Sequence, residues 1–194
     1  MFIDPIPPET AEGAVAAMFA GATERFGYLP NMVRVFSHRP EVMDGWNALL
    51  GSVRGNLDPR RYELATFAAA RALGSSYCML AHGDVLMRDG LDADTLVSLA
   101  ATGEAPALSE AERAIMAYAA KIARDAGSVT KADVAGLRAH GLSEVEIFDI
   151  AATAAMRCFF SKLLDALGAH PDAAYRSLGS ALCEALSVGR PIET

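Results

Sequence analysis

An all-α fold is predicted, on three observations. Alanine is abundant while β-branched and aromatic residues are sparse, the aromatics making up 7% of 194 residues; that balance favours helix. Apolar residues recur at helical spacing, and every boundary carries a helix cap or a Gly/Pro stop. No segment alternates as a strand would.

Taken in order, "DPIPPET" is an extended lead-in to a first helix from about Glu9 to Arg25, ended near Gly27. "LPNMVRVFSHRP" predicts a short helical turn stopped by Pro40. A helix follows from about Glu41 to Val53, closed by Gly55. In "DPRRYELATFAAARALG", Asp58 is the N-cap, Pro59 the first helical residue and Gly74 the C′ residue. Ser76 is the expected cap of the next helix, which ends at Gly90. Asp92, Ser109, Thr130 and Ser143 read as further N-caps, and Ser109 and Ser143 have a glutamate three residues on, a capping box. "SEVEIFDIAATAAMRCFFSKLLDALG" is one long helix, apolar on more than one face and therefore expected to be central. A last helix follows Pro171.

An internal echo runs at a constant offset of about 51 residues: "LDPRRYELATFAAA" aligns with "LSEAERAIMAYAAK", and "GLDADTLVSLAAT" with "GLSEVEIFDIAAT". A duplicated helical unit is the expectation. The chain then divides into N-terminal helices (1–56), a motif-bearing unit (57–103), a motif-less unit (108–170) and a C-terminal helix (171–194), all in one domain. In the second unit Glu63, Ser75, Cys78 and His82 correspond to Ala114, Ala126, Val129 and Asp133. The helical scaffold therefore does not require the polar set.

That set is the chemistry-bearing feature. Cys78 and His82 lie four apart and Ser75 three before the cysteine, so all share one helix face. Cys78 falls in the first turn of its helix, where free N–H groups and the helix dipole favour a thiolate, and His82 is placed to accept its proton. Glu63, on the preceding antiparallel helix, can orient His82 or relay protons. Alone, a cysteine in such a helix also reads as a small core hydrophobe. Cys158 and Cys183 lie in apolar runs and are expected to be core, out of reach of reagents. His38, His140 and His170 stand in turn or pre-proline settings as solvated single residues. No second Cys/His pair has zinc-like spacing, so neither metal nor cofactor is implied.

The net charge of −7 and the lack of a basic stretch exclude a nucleic-acid binder. No apolar run reaches membrane-spanning length, and the N-terminus lacks the cationic-then-apolar pattern of a signal peptide. Three scattered cysteines form no disulfide framework, so a reducing, cytoplasmic setting is expected.

Residues from about Asp58 to Gly90 resemble the core of the carboxymuconolactone decarboxylase and alkylhydroperoxidase-D-like (AhpD-like) superfamily. Its alkylhydroperoxidases carry a glutamate and, twelve residues later, Cys-x-x-Cys-x-x-x-His; here the same intervals hold Glu63, Ser75, Cys78 and His82. The flanks "LPNMVRVFSHRPEVM", "LSEAERAIMAYAAKIA", "VTKADVAGLRAHGLSEVEIFDIAATAA" and "LLDALG" extend the resemblance, to the peroxidase-related branch, over most of the chain. It implies an AhpD-like multi-helix bundle assembled as a homo-oligomer (dimer, trimer or hexamer). It also implies Cys78 as the thiolate that meets a hydroperoxide, His82 as its base and Glu63 as a proton relay. Ser75 is the departure, because a serine can hydrogen-bond a thiolate but cannot resolve a sulfenic acid as a disulfide.

Three outcomes follow from that departure. The first is a one-cysteine peroxidase served by an external thiol. The second is resolution by Cys158 or Cys183. The third is different chemistry on the same fold: a decarboxylase-like lyase acting on a small carboxylate held by Arg60, Arg61, Arg71 or Arg157. A non-catalytic helical oligomer stands beside them.

Overall fold

The computed structural model describes residues 1–194, and its regular structure is entirely helical: α1 (Gly13–Phe26), α2 (Asn31–Val35), α3 (Pro40–Arg54), α4 (Pro59–Leu73), α5 (Ser76–Arg88), α6 (Ala93–Thr102), α7 (Glu110–Asp125), α8 (Lys131–Ala139), α9 (Glu144–Ala166) and α10 (Ser180–Leu186). Short 3-10 turns at Pro8–Thr10, Phe36–His38, Ala126–Ser128 and Ala173–Leu178 join or extend them.

The caps explain most of these boundaries. The Asp58 and Asp92 side chains accept from Arg61 N and Thr95 N, and Ser109 and Ser143 form full capping boxes with Glu112 and Glu146. At the Thr130 cap the Asp133 carboxylate accepts from the Thr130 amide and hydroxyl. The helices paired at an offset of 51 start in register, α4 at Pro59 with α7 at Glu110 and α6 at Ala93 with α9 at Glu144.

Four expectations need correction. The first helix starts at Gly13 rather than Glu9, because residues 8–10 form a separate 3-10 turn and Ala11 is extended. The turn before Pro40 does end, at His38 with Arg39 non-helical, but Pro40 also opens α3, one residue before Glu41, at the position where its missing N–H costs nothing. The N-cap of α5 is Ser75, not Ser76: Gly74 takes the left-handed conformation at φ 68°, and Ser75 leaves it extended at φ −92°. The C-terminal stretch is broken at Gly179 (φ 86°) into a 3-10 turn and the short α10.

The centre belongs to α4, where every residue from Tyr62 to Ala70 is buried. Its alanines at 65, 68, 69 and 70 let α5, α7 and α9 approach closely on three sides. The long α9, expected to be central, packs against α3, α4 and α7 but turns Val145, Phe148 and Phe159 to solvent. Its extra apolar face is a surface feature.

The C-terminal residues return to the start of α5. Gly189 N donates to Ser76 Oγ at 2.7 Å, and a Cβ added to Gly189 would stand 2.3 Å from Gly74 O, so only glycine fits this crossing. Leu186 of α10 covers Gly83 in the middle of α5.

Candidate active site

The first turn of α5 is held in place through Tyr77. Tyr77, beside Cys78, donates its hydroxyl to the buried Asp172 carboxylate and accepts from Met32 N at 3.0 Å. Asn31 N donates to the same carboxylate at 2.7 Å. Burial keeps the Asp172 carboxyl above its usual range, against the pull of these donors.

Cys78 is 1% exposed. Its Sγ accepts from Ser161 Oγ at 3.1 Å and from Arg157 Nη1 at 3.5 Å, both carried by α9. The serine hydroxyl at the sulfur is thus that of Ser161, not of Ser75. Ser75 Oγ is fully enclosed without a hydrogen-bond partner, on the side of Asp165.

His82 and Glu63 meet as their spacing suggests. His82 Nδ1 pairs with Glu63 Oε2 at 2.6 Å, while Glu63 Oε1 faces Arg54 Nη2 at 3.4 Å. Glu63 is 2% exposed and the His82 side chain 16%, so the pair runs from the core towards the surface. His82 makes no hydrogen bond to Sγ. Burial, reinforced by the Arg157 charge, holds His82 below its ordinary value of 6.5 although Glu63 pulls the other way. With a carboxylate at Nδ1, that ring nitrogen carries the proton and Nε2 is left as the acceptor.

Of the four arginines considered, only Arg157 reaches the cysteine. Arg60 and Arg61 pair with Glu112 and Glu146, and Arg71 donates to the Ala100 and Ala101 carbonyls. The Arg157 guanidinium lies 5.7 Å from the Trp46 ring centre and 5.6 Å from that of Phe160, and these two rings stack at 4.6 Å. The Tyr62 hydroxyl lies beside it.

Ser161, Tyr62, Trp46 and Arg54 were not anticipated. One signal could have found the first: Asp149, Thr153, Arg157 and Ser161 recur every four residues, a buried polar line in an otherwise apolar helix. Cys158 and Cys183 are half-buried and unpaired, more accessible than Cys78, contrary to the expectation from their apolar runs. Cys183 Sγ donates to the Tyr175 carbonyl at 3.3 Å.

Comparison with known proteins agrees with this fold. Residues 40–121 match the carboxymuconolactone decarboxylase family. An alkyl hydroperoxide reductase of Mycobacterium tuberculosis is 33% identical over 127 residues, 64% of this chain; the match spans only 36% of that relative. A peroxidase-related protein of Ralstonia eutropha with the alkylhydroperoxidase AhpD core superposes with a TM-score of 0.76 at 21% identity, over 89% of this chain and 96% of its own. The debrominase Bmp8, in complex with 2,3,4-tribromopyrrole, superposes with a TM-score of 0.75 at 20% identity, over 95% and 97%. No helix here is long and apolar enough to cross a membrane. Residues 40–121 thus form a segment that matches the carboxymuconolactone decarboxylase family, carried on an all-α fold of the AhpD-like kind.

Proposed function

We propose that this protein is a one-cysteine, thiol-dependent peroxidase acting on hydroperoxides through Cys78. The observation that carries the reading is a lone buried sulfur receiving two donors, Arg157 and Ser161, with a His82–Glu63 pair one helical turn away. The Cys78 sulfur attacks the terminal peroxide oxygen, the S–O bond forms and the O–O bond breaks. The departing alkoxide takes up one proton from solvent water, relayed by His82, whose ring Glu63 orients, leaving an alcohol and Cys78 sulfenic acid. An external thiol then displaces water to give a mixed disulfide, and a second thiol releases Cys78. Ser75 cannot serve as the resolving group. The kinship with an alkyl hydroperoxide reductase supports the hydroperoxide as substrate. Three unpaired cysteines fit a reducing, cytoplasmic setting. The exposed apolar face of α9 fits a homo-oligomer.

Decarboxylase-like lyase chemistry on a small carboxylate is the second reading, favoured by one observation: Arg157 has no protein carboxylate as partner. Intact-mass analysis of a sulfenic-acid adduct separates the two. Limiting hydroperoxide should add one oxygen to Cys78 and none to Cys78→Ala. Ser75→Cys should replace that adduct by a disulfide between the introduced thiol and Cys78, and gain turnover with a dithiol. A wild-type Cys78 that stays reduced under excess peroxide removes the peroxidase reading.

A further inference from the structure

Arg157 poses a problem of charge. It is 4% exposed, and a guanidinium cannot discharge itself by losing a proton. A buried cation without an anionic partner is among the costliest arrangements a core can hold. Yet no carboxylate forms an ion pair with it; it donates to Cys78 Sγ, with the Tyr62 hydroxyl beside it, and its Nε has no partner. The two rings of Trp46 and Phe160 lessen this cost but cannot remove it.

The surrounding groups leave one candidate for the missing anion. From α4, Glu63 is committed to His82 and, through its other oxygen, to Arg54 of α3, and Tyr62 brings a phenol hydroxyl. From α5 itself, His82 is kept neutral by burial and by Arg157, and Asp84 is paired with Arg88. From α9 come the Ser161 hydroxyl and, two turns along the same face, the buried Asp149, which makes no ion pair with Arg157; from α10 comes the apolar Leu186, and from the 3-10 turn at Ala173–Leu178 the buried Tyr175, which its surroundings keep protonated. Among the groups in hydrogen-bond contact with Arg157, the Cys78 sulfur is the one that can carry a negative charge.

We infer that the resting site is a buried ion pair between a Cys78 thiolate and the Arg157 guanidinium, with Ser161 as a second donor to the sulfur. This assigns Arg157 the part expected of His82. The pair holds Cys78 ionised before any peroxide arrives, so the proton for the departing oxygen is drawn from solvent water and passed on at His82 Nε2, with Glu63 holding the ring. The inference rests on the proposed peroxide chemistry only for its purpose; the ion pair itself exists without it.

The experiment reads the ultraviolet absorbance of the thiolate at neutral pH, as a difference spectrum against the same protein carrying Cys78→Ala. It needs no hydroperoxide, so it can succeed while the peroxidase reading fails, or the reverse. Wild type and His82→Gln should both show the band. Arg157→Met should lose it, and Arg157→Lys should keep at least half of it. Absence of the band in wild type overturns the inference, as does its loss in His82→Gln or its retention in Arg157→Met. Should Arg157→Met fail to fold, the wild-type, His82→Gln and Arg157→Lys spectra decide by the same criteria, with loss of the band in Arg157→Lys counting against the ion pair.

Discussion

Cys78 is the most enclosed of the three thiols and also the one aimed at by two donors, so its reactivity depends on the size of the reagent. A bulky maleimide should label the half-buried Cys158 and Cys183 before Cys78, whereas hydrogen peroxide should oxidise Cys78 first; peptide mapping of each modified cysteine checks both orders. His82 gives a pH signature. Burial lowers its folded value below 6.5, so as the pH falls under 6.5 the unfolded chain takes up a proton that the folded one refuses. Its penalty is absent well above 6.5, grows as the pH falls towards the folded value and then levels off. Denaturant titrations at stepped pH should show wild type losing stability more steeply than His82→Gln in that window. At this scale the sequence was legible where partners are local. Glu63 and His82 are 19 residues apart on a tight helical hairpin, and the spacing alone brings them together. Arg157 and Ser161 lie 79 and 83 residues beyond Cys78, and no local rule reports which side of α9 faces α5.

The α5 helix owes its position to small residues on the faces where neighbours cross. A Cβ at Gly83 would stand 2.8 Å from Leu186 Cδ1 and 3.7 Å from Phe67. Gly83→Ala should gain about 1 kcal/mol of helix propensity, and lose about 1–3 kcal/mol to overpacking because Leu186 is fully buried. The two nearly cancel for a side chain that can turn, so the coupling is the better test. In a double-mutant cycle, Gly83→Ala with Leu186→Ala should be less destabilised than the sum of the single changes, by about 1 kcal/mol or more. Helix existence was readable in almost every case because caps are local chemistry: Asp58, Asp92, Ser109 and Ser143 each bond an amide three residues on. The failures lie where the backbone was set from afar. Ser75 rather than Ser76 is the cap because the backbone leaves the left-handed Gly74 extended for one residue, while the Ser76 hydroxyl accepts from Gly189, 113 residues away. The outward face of α9 could not be told from an inward one by hydropathy, since both are apolar.

Over the whole molecule, Val145, Phe148 and Phe159 occupy one exposed face of α9, with Phe148 69% exposed. A patch of this kind is the sort of surface a subunit contact covers. Light scattering should find a homo-oligomer at micromolar concentration, and Phe148→Glu should shift it towards monomer without loss of helical circular dichroism. The chain ends converge elsewhere. Phe2 packs on Gly168 and under Arg190, Glu193 bonds Asn31, and Gly189 crosses Gly74. Gly189→Ala should lift that crossing and raise the rate at which maleimide reaches Cys78, read against unchanged labelling of Cys158. The same crossing orders events in time. Contacts across more than a hundred residues close late, after local helices have formed. A growing chain therefore carries its cysteine helix with one flank open until residues 186–189 have emerged and docked, so the Cys78 thiol is more open to reagents during synthesis than once the fold around it is complete.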